Sequence, residues 1–357
     1  MGGRGIMAEL VVDLKEQSYP LKIRKGLLND VGLEITRFYH GKKVAIITDQ
    51  TVARYYEKQV KEGLLKEGYE VVVIALPPGE ESKSLNQLPF LYKALIDFGL
   101  TRSDLIVALG GGVVGDVGGF AAATFLRGIP FVQIPTTLLA QVDSSIGGKV
   151  AVDLPEGKNL VGSFYHPVLV LIDPLVLETL SDRFFYDGMA EVIKYACILD
   201  VDFFAFLKTL KTRAEMTKQI EQIIYTCCSL KKAIVESDER DTAERMLLNF
   251  GHTLGHALET FYAYKKYTHG EAVAIGMYQI TLLAEEKGLS AIGTAETIKS
   301  LLIQYHLPYT LEHKDYAAVL EYVALDKKNI NGVLKVVLLK TIGKSYLEET
   351  TATFFVN

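Results

Sequence analysis

The chain has 357 residues, of which 49% are hydrophobic, and a formal net charge of −5 at pH 7. This length is enough for two domains of ordinary size. The acidic balance argues against nucleic acid as a partner, because a phosphate backbone requires a basic protein surface. No apolar run approaches the roughly 20 residues of a membrane span, and the N-terminus lacks the apolar segment of a signal peptide. The three cysteines make neither a disulfide framework nor a Cys-x-x-Cys metal site, so the sequence predicts a soluble, cytoplasmic enzyme.

The N-terminal half alternates predicted strands with predicted helices. After six residues that are consistent with a vector remnant, residues 8–23 hold two extended stretches that predict a hairpin or a pair of edge strands. Four buried strands, at 42–49, 70–76, 103–110 and 131–135, are predicted together with helices at about 52–67 and 86–98. Such alternation is typical of parallel βαβ units, so we predict a Rossmann-like α/β domain over residues 1–180.

The C-terminal half is predicted to be mainly α-helical. Strand-like runs are absent beyond about residue 180 until VLKVVLLKTIG near the C-terminus, and long helical patterns replace them. The segment DPLVLETLSD at 173–182 contains a proline and a Ser-Asp helix start, which predicts a domain boundary. Another helix start is predicted at Asp187 and Gly188. We therefore predict a second, helical domain over residues 181–357.

A glycine-rich turn, GGGVVGD, follows the predicted strand DLIVALG and precedes a predicted helix. Gly110, Gly112 and Gly115 fit the pattern G-x-G-x-x-G in the strand–turn–helix context that this pattern requires. Glycines let the backbone approach a pyrophosphate, and the helix N-terminus presents N–H groups to it. The usual acidic residue about twenty positions later is missing, and Asp49 is the substitute that we propose for the ribose hydroxyls. The alternative is a turn that serves packing alone.

Further polar residues accompany this turn in short segments that a simple core would not need. They are Glu80, Lys83, Thr136, Thr137, Asp143, Lys149, Lys158 and Asn159. Lys149 and Lys158 are either surface charges or ligands of an anionic substrate, and the small residues beside them favour anion binding.

Three histidines of the helical half, His252, His256 and His269, lie within eighteen positions. His252 and His256 stand four apart on a predicted helix, so their imidazoles share one face. Neutral imidazole is the commonest metal ligand, and a third ligand is normally another histidine, a cysteine or a carboxylate. Glu191 is the best such candidate, because it lies with Lys194 in an apolar run where a charge needs a partner. The alternatives are core histidines bonded to backbone carbonyls and an ordinary Glu191–Lys194 ion pair.

Eight motifs taken in order resemble the 3-dehydroquinate synthases, a family of sugar phosphate cyclases. The motifs span roughly residues 44–280, with DKKN at 326–329 extending the match, and they read PPGEESKS, GGGVVGDVGGFAAATFLRG, IPTTLLAQVDSSIGGK, GKNLVGSFYHP, AEVIKYA, LKKAIVESDERD, RMLLNFGHTLGHALE and HGEAVAIGM. The resemblance implies an enzyme of the shikimate pathway, which serves aromatic amino acid biosynthesis. This enzyme converts the keto acid phosphate DAHP into 3-dehydroquinate and inorganic phosphate.

The same resemblance implies tightly held NAD and a divalent metal, Zn²⁺ or Co²⁺. In the family, NAD oxidises a ring alcohol, because a ketone acidifies the neighbouring C–H and permits loss of phosphate. NADH then reduces the ketone, after which the ring opens and closes again as an intramolecular aldol. The metal acts as a Lewis acid on the reacting oxygen. NAD is regenerated in each cycle and there is no net oxidation, so the enzyme is a lyase.

Individual residues acquire roles from the resemblance. Glu191, His252 and His269 would bind the metal, whereas His256 would lie beside the substrate phosphate. The other phosphate neighbours would be Lys149, Asn159, Asn249 and one of Lys327 and Lys328. The residues matching contacts to substrate hydroxyls or carboxylate are Asp143, Lys194, Lys231 and Arg245. The residues matching the NAD pocket are Asp49, Glu80, Lys83, Gly111, Gly112, Val113, Asp116, Thr136, Thr137, Lys158 and Thr179.

Arg127 in TFLRG matches an arginine that reaches the phosphate from a neighbouring subunit, which implies a homodimer. Three other functions share part of the pattern: a cyclase for another phosphorylated sugar, an NAD- and metal-dependent polyol dehydrogenase, and a nucleotide-binding regulatory protein with a structural metal. The retained lysines and arginines favour DAHP over the first, since its carboxylate and phosphate both need cations. Stoichiometric NADH release would identify the second, and the open three-ligand site disfavours the third.

Overall fold

The computed structural model describes residues 8–311, 313–324 and 333–355. The predicted DKKN motif, with Lys327 and Lys328, and the proposed vector remnant at 1–6 lie outside the described residues. The chain divides into two compact units, the first formed by Met1–Ser181 with Ile220–Glu239 and the second by Asp182–Gln219 with Arg240–Asn357. No helix in the three described ranges is long and apolar enough to cross a membrane.

Most strands belong to the first unit and most helices to the second. The strands are β1 (Ala8–Val12), β2 (Tyr19–Ile23), β3 (Lys43–Asp49), β4 (Glu70–Leu76), β5 (Leu105–Gly110), β6 (Phe131–Pro135), β7 (Lys149–Leu154), β8 (Gly157–Phe164), β9 (Leu169–Ile172), β10 (Leu334–Thr341) and β11 (Lys344–Thr350). The α-helices are α1 (Val31–Thr36), α2 (Gln50–Lys66), α3 (Leu88–Asp97), α4 (Gly112–Thr124), α5 (Asp182–Leu199), α6 (Val201–Thr209), α7 (Arg213–Lys218), α8 (Ile220–Ser237), α9 (His252–Phe261), α10 (His269–Glu286), α11 (Thr294–Gln304) and α12 (His313–Ala324).

The first unit is built on a sheet whose described strands have the order β1-β2-β9-β6-β5-β3-β4. β1 pairs antiparallel with β2, which confirms the predicted hairpin, and the other neighbouring strands pair in parallel. Val44 and Ile46 of β3 join the core with α1 and α2, whereas Ala45 and Ile47 join the core with α3 and α4. Helices thus cover both faces of a mostly parallel sheet, which confirms the predicted Rossmann-like α/β class.

The predicted elements agree with the structure where the hydrophobic pattern is uninterrupted. β4 and β6 have the predicted bounds, and β3 and β5 begin one and two residues later than predicted. The antiparallel hairpin of β7 and β8 was not predicted, because polar residues and glycines interrupt its apolar pattern. The predicted helix start at Asp187 is wrong, since α5 begins at Asp182. Asp187 lies inside the helix, where its carboxylate accepts a hydrogen bond from the Gly270 N–H instead of capping.

The helix α8 differs from the predicted domain limit. It follows residue 181 in sequence, but it belongs to the first unit. Ile223, Ile224 and Cys228 on its apolar face are buried, and the Cys228 thiol donates to the Gln141 carbonyl at 3.4 Å. The amphipathic pattern of α8 predicts that one face is buried. That pattern contains no information about which surface covers the face.

Candidate active site

Three side chains of the second unit converge as the ligands of a metal ion do. Glu191 on α5, His252 on α9 and His269 on α10 each offer a ligand atom, and these atoms lie within 4.8 Å of one another. His252 Nε2 is 3.7 Å and His269 Nε2 is 3.6 Å from Glu191 Oε1. Two ligands of a tetrahedral ion with bonds of about 2.1 Å are separated by about 3.4 Å. The observed spacing is therefore close to that of a zinc-type site.

The burial of Glu191 fits a bound cation. Its side chain is fully buried on α5 and forms an ion pair with Lys194 one turn later. Lys194 is paired with Oε2, whereas Oε1, which faces the two imidazoles, has no hydrogen-bond partner within the described part of the chain. A buried carboxylate oxygen that lacks a hydrogen bond is costly. A metal ion bonded to Oε1 would remove that cost, and one carboxylate with two imidazoles is a usual donor set for catalytic zinc.

His252 is the first residue of α9 and is held in the neutral form. It follows Gly251, whose φ of +77° begins the helix, and a Cβ at Gly251 would lie 2.7 Å from the Val273 carbonyl oxygen. The Nδ1 of His252 is 3.0 Å from the Phe250 carbonyl, so Nδ1–H donates to it and Nε2 turns its lone pair towards Glu191. Burial lowers the pKa of His252 well below its usual value. Neutral imidazole is the form that binds metals.

His269 is the first residue of α10. Thr268 and Glu271 form a capping box there, which fixes where the helix begins. Its Nδ1 is 3.4 Å from Oε2 of the buried Glu259. Although burial opposes protonation, the carboxylates of Glu259 and Glu191 raise the pKa of His269 to about 10. A metal ion at Nε2 would therefore replace a proton.

His256 lies beside the same cluster but not next to Glu191. Its ring centroid is 5.3 Å from that of His252 and 6.1 Å from that of His269, as the predicted shared helix face requires. His256, Glu259 and His269 form a second group whose ligand atoms lie within 4.8 Å of one another. Spacing along the helix therefore groups His252 with His256, whereas the fold brings His252 and His269 to Glu191.

The predicted nucleotide-binding residues collect at the carboxyl ends of three strands in the first unit. Asp49 ends β3, Gly110 ends β5, and Thr136 directly follows β6. The chain passes from β3 to β4 on one side and then to β5 on the other. Open α/β sheets bind ligands at such a topological switch point. Oδ1 of Asp49 accepts hydrogen bonds from two N–H groups at the start of α2, which holds the carboxylate at this edge.

The glycines of the turn have two different functions in the fold. A Cβ at Gly111 would lie 2.9 Å from Thr137 Cγ2, so this glycine permits two loops to approach closely. A Cβ at Gly115 would lie 3.0 Å from Gln133 Oε1, so Gly115 serves the packing of α4 on β6. Gly112 begins α4, and Val113 and Asp116 follow in its first turns. The backbone N–H groups at this helix end are those predicted from the sequence to bind a pyrophosphate.

Two ion pairs border the predicted nucleotide site. Lys83 is buried and pairs with Asp116 at 2.5 Å, and Lys158 pairs with Glu80 at 3.1 Å. Burial alone would lower the pKa of Lys83, but the Asp116 carboxylate raises it above its usual value, so the ammonium stays charged. The hydroxyl of Thr179 lies 2.6 Å from the Tyr56 hydroxyl.

The predicted substrate contacts are divided between the two units. In the first unit, Lys231 on α8 donates to the Asp143 carbonyl at 2.7 Å and forms an ion pair with its carboxylate. Lys149 begins β7, and Asn159 on β8 has a φ of +55°. In the second unit, Lys194 is buried beside Glu191. The turn Glu244–Asn249 holds Arg245, which is buried, and Asn249.

Arg127 lies in a strained turn after α4. Leu126 and Arg127 have φ values of +51° and +69°, and Gly128 follows with +116°. Positive φ at two successive non-glycine residues is unfavourable, and such strain often marks functional sites. The Arg127 side chain is exposed, and in the described ranges no acidic group pairs with its guanidinium.

Two residues that support the cluster were missed in the sequence. Glu259 holds His269 Nδ1, and Asp187 accepts the Gly270 N–H at 2.6 Å. The sequence contains a pattern that could have revealed Glu259, since it lies seven positions after His252 and therefore on the same helix face. No such pattern reveals the contact of Asp187, because its partner is 83 residues away in sequence.

Comparison with known proteins identifies the family. The family described as "3-dehydroquinate synthase N-terminal" matches residues 73–187, and "3-dehydroquinate synthase C-terminal" matches residues 188–329. A Clostridium beijerinckii protein named 3-dehydroquinate synthase is 63% identical over 349 residues, which are 98% of this chain and 100% of that protein. The chain belongs to the 3-dehydroquinate synthase family. The resemblance seen in the motifs is therefore confirmed, and the three converging residues all lie in the C-terminal family region.

Solved structures similar to this family member extend over nearly its whole length. The structure of 2-deoxy-scyllo-inosose synthase complexed with carbaglucose-6-phosphate, NAD⁺ and Co²⁺ has a TM-score of 0.88 and 29% identity, covering 98% of each chain. That of 2-epi-5-epi-valiolone synthase from Streptomyces hygroscopicus, with NAD⁺ and Zn²⁺ bound, has a TM-score of 0.87 and 27% identity, covering 96% of each chain. These similarities agree with the fold class predicted from the sequence.

Proposed function

We propose that the chain converts DAHP into 3-dehydroquinate and inorganic phosphate, with NAD and Zn²⁺ or Co²⁺ as cofactors. The observation that carries the proposal is the convergence of Glu191, His252 and His269 in a chain 63% identical to a 3-dehydroquinate synthase. Three protein ligands leave an open position for a substrate oxygen, as catalytic zinc sites do. When bound, the metal would supply a Lewis acid and NAD a reversible hydride acceptor.

The second unit would hold the metal and part of the substrate. Glu191 contributes a negative charge to the ion, and His252 is already neutral, with its Nε2 lone pair directed at the site. Lys194 is buried beside the cluster and would present its ammonium to the substrate. Arg245 in the same unit provides a guanidinium suited to the substrate carboxylate, since its planar fork matches carboxylate geometry. His256 and Asn249 are proposed to contact the phosphate.

The first unit would bind NAD at the carboxyl ends of its strands. Asp49 is proposed to accept hydrogen bonds from ribose hydroxyls, because its carboxylate is fixed at the end of β3. The N–H groups at the start of α4 would bind the pyrophosphate. Lys149, Asn159, Asp143 and Lys231 of this unit are proposed as further substrate ligands.

Arg127 is proposed to act on the phosphate of a neighbouring copy, so we propose that the protein is a homodimer. Two features support this assignment. The backbone at Leu126 and Arg127 has positive φ, and the Arg127 side chain is exposed and has no acidic partner among the described residues of its own chain. The predicted cytoplasmic location is retained as part of the proposal.

A cyclase that acts on another phosphorylated sugar is the second candidate, because the inosose synthase has the same fold. DAHP differs from a simple sugar phosphate by its carboxylate, and Arg245, Lys194 and Lys231 supply cations for it. The identity of 29% to that enzyme, against 63% to the Clostridium protein, also favours DAHP.

Phosphate release from DAHP, measured with NAD and zinc present, tests the proposal directly. We expect stoichiometric phosphate and 3-dehydroquinate without net NADH, and loss of both products in His252→Ala. Glucose 6-phosphate tested in parallel should release no phosphate. Release from glucose 6-phosphate but not from DAHP would establish the second candidate, and stoichiometric NADH would show a dehydrogenase.

A further inference from the structure

His269 lies between two buried carboxylates, one at each ring nitrogen. Its Nε2 is 3.6 Å from Glu191 Oε1, and its Nδ1 is 3.4 Å from Glu259 Oε2. The second contact is a long hydrogen bond, because nitrogen and oxygen are usually about 2.9–3.0 Å apart in such a bond. Its length also equals the separation of about 3.4 Å between two ligands of one tetrahedral ion. The Nδ1 side of the ring therefore has the spacing of a metal site, as the Nε2 side has.

His256 supplies a third ligand on this side. The ligand atoms of His256, Glu259 and His269 lie within 4.8 Å of one another, the same limit that the Glu191, His252 and His269 group meets. Glu259 is 3% exposed, whereas His256 and His269 are half-buried. An ion held there would have a buried anionic ligand and an open side where water completes its coordination. Two imidazoles and one carboxylate match the preference of zinc.

We propose that His256, Glu259 and His269 form a second zinc position, and that the imidazole of His269 bridges it to the first. The proposal goes beyond the proposed function, in which one ion acts, and rests on it only for the ligands of that ion. An ion held by Glu191, His252 and His269 would leave the ring proton of His269 on Nδ1. An ion held by His256, Glu259 and His269 would take the place of this proton, which would be released to solvent.

The second ion would bind more weakly than the first. It must displace a proton from the ring, and it must approach an ion of like charge through a single imidazole. We expect its dissociation constant to be about tenfold or more above that of the first ion. Since His256 is also proposed to contact the substrate phosphate, the second ion would compete with substrate. Excess zinc would then inhibit the enzyme.

Counting bound zinc in matched variants tests the second position. The wild type, Glu191→Gln, His256→Ala and the double variant are dialysed against one fixed free zinc concentration that saturates the wild type, and metal per chain is measured. His306→Ala is the control, because His306 is an exposed histidine outside both groups. Relative to the wild type, we expect one ion fewer in each single variant, two fewer in the double variant, and no change in the control.

The outcomes separate the second position from the first. Equal zinc content in the wild type and His256→Ala would overturn the second position, whatever Glu191→Gln does. Equal content in the wild type and Glu191→Gln would instead contradict the first site and with it the proposed function. Circular dichroism of the metal-free proteins shows whether each variant folds. His256→Phe, which keeps a ring but lacks ligand atoms, replaces His256→Ala if that variant does not fold.

Discussion

The carboxylate of Asp187 accepts a hydrogen bond from the Gly270 N–H at 2.6 Å. Asp187 lies on α5 one turn before Glu191, and Gly270 follows His269 at the start of α10. A Cβ at Gly270 would lie 2.0 Å from the Asp187 carbonyl oxygen, so the two helices can be this close only because residue 270 is glycine. This contact joins α5 and α10 next to two of the proposed metal ligands, Glu191 and His269.

Gly270→Ala should separate α5 from α10. We expect it to lower the free energy of unfolding of the metal-free protein by about 1–3 kcal/mol, as overpacking does, and to weaken zinc binding. Denaturant unfolding and zinc competition with a chelator measure the two effects. Gly288→Ala is the control for zinc affinity, because nothing lies within 4 Å of a Cβ there; its φ of +70° makes this substitution destabilising too, so it is not a control for unfolding. Unchanged zinc affinity in Gly270→Ala would show that the contact does not position the ligands.

Glu259→Gln should weaken the first zinc site without removing a ligand from it. The carboxylate orients His269 through Nδ1, and loss of such a partner usually costs about 10- to 100-fold in metal affinity. Competition with a chelator, at less than one equivalent of zinc, measures the change at the first site alone. Glu296→Gln, at an exposed position, should leave the affinity unchanged. If both variants bind zinc as the wild type does, Glu259 has no part in orienting His269.

Metal removal should abolish turnover and leave the secondary structure largely intact. Added zinc or cobalt should restore phosphate release, since the metal is proposed to act in the reaction. His252→Ala should lose most of the zinc supplied at one equivalent, because only the weaker second position is left, whereas His256→Ala should retain it and still lose turnover. Metal analysis after gel filtration distinguishes the two variants. Equal loss of this zinc from both would mean that His256 is a ligand of the first ion, and full activity in metal-free protein would contradict the metal assignment.

Arg127 gives a test of the proposed homodimer. Arg127→Ala and His252→Ala should each be nearly inactive alone, because each lacks a residue in both sites. In a mixed dimer, one site lacks both residues and the other is complete. Random co-assembly makes half of the dimers mixed, so activity should recover to about a quarter of wild type. A tagged pull-down verifies that subunits mix, and inactive mixed dimers would show that Arg127 does not act across an interface.

Asp104 should contribute to the pH dependence of stability. Although burial opposes ionisation, hydrogen bonds from Thr101, Lys43 and Tyr39 hold the pKa of Asp104 below its usual value. A group with a lowered pKa stabilises the fold above its unfolded pKa, and this contribution is lost as the pH falls through the folded pKa. We expect Asp104→Asn to be less stable at pH 7 and to lose less stability than the wild type between about pH 5 and pH 2. Urea midpoints across this range measure the difference, and parallel curves would contradict the prediction.

The features that could be predicted from the sequence depend on residues that are close together in the chain. The strands β4 and β6 follow from uninterrupted apolar runs, and the glycine turn follows from its strand–turn–helix context. Three histidines within eighteen positions were enough to predict a metal site in the helical half. Glu191 was identified as a candidate because a carboxylate in an apolar run needs a partner.

The features that could not be predicted depend on contacts between distant segments. The fold places His252 and His269 at Glu191, whereas helix periodicity alone would group His252 with His256. The partnership of Asp187 with Gly270 has no local sign, and the helix start predicted at Asp187 was wrong for that reason. Helix periodicity places Glu259 on the same face as His252, but only the fold brings its carboxylate to the ring of His269.

The position of α8 has a consequence for synthesis of the chain. The first unit needs α8, whose Lys231 binds Asp143 and whose Cys228 donates to Gln141, but 38 residues of the other unit, Asp182–Gln219, are translated before it. A chain emerging from the ribosome therefore has the whole sheet before it has the helix that packs against β1 and the segment around Asp143. Domains usually fold in the order in which they are made. Here the N-terminal unit can be completed only after part of the C-terminal unit has been translated.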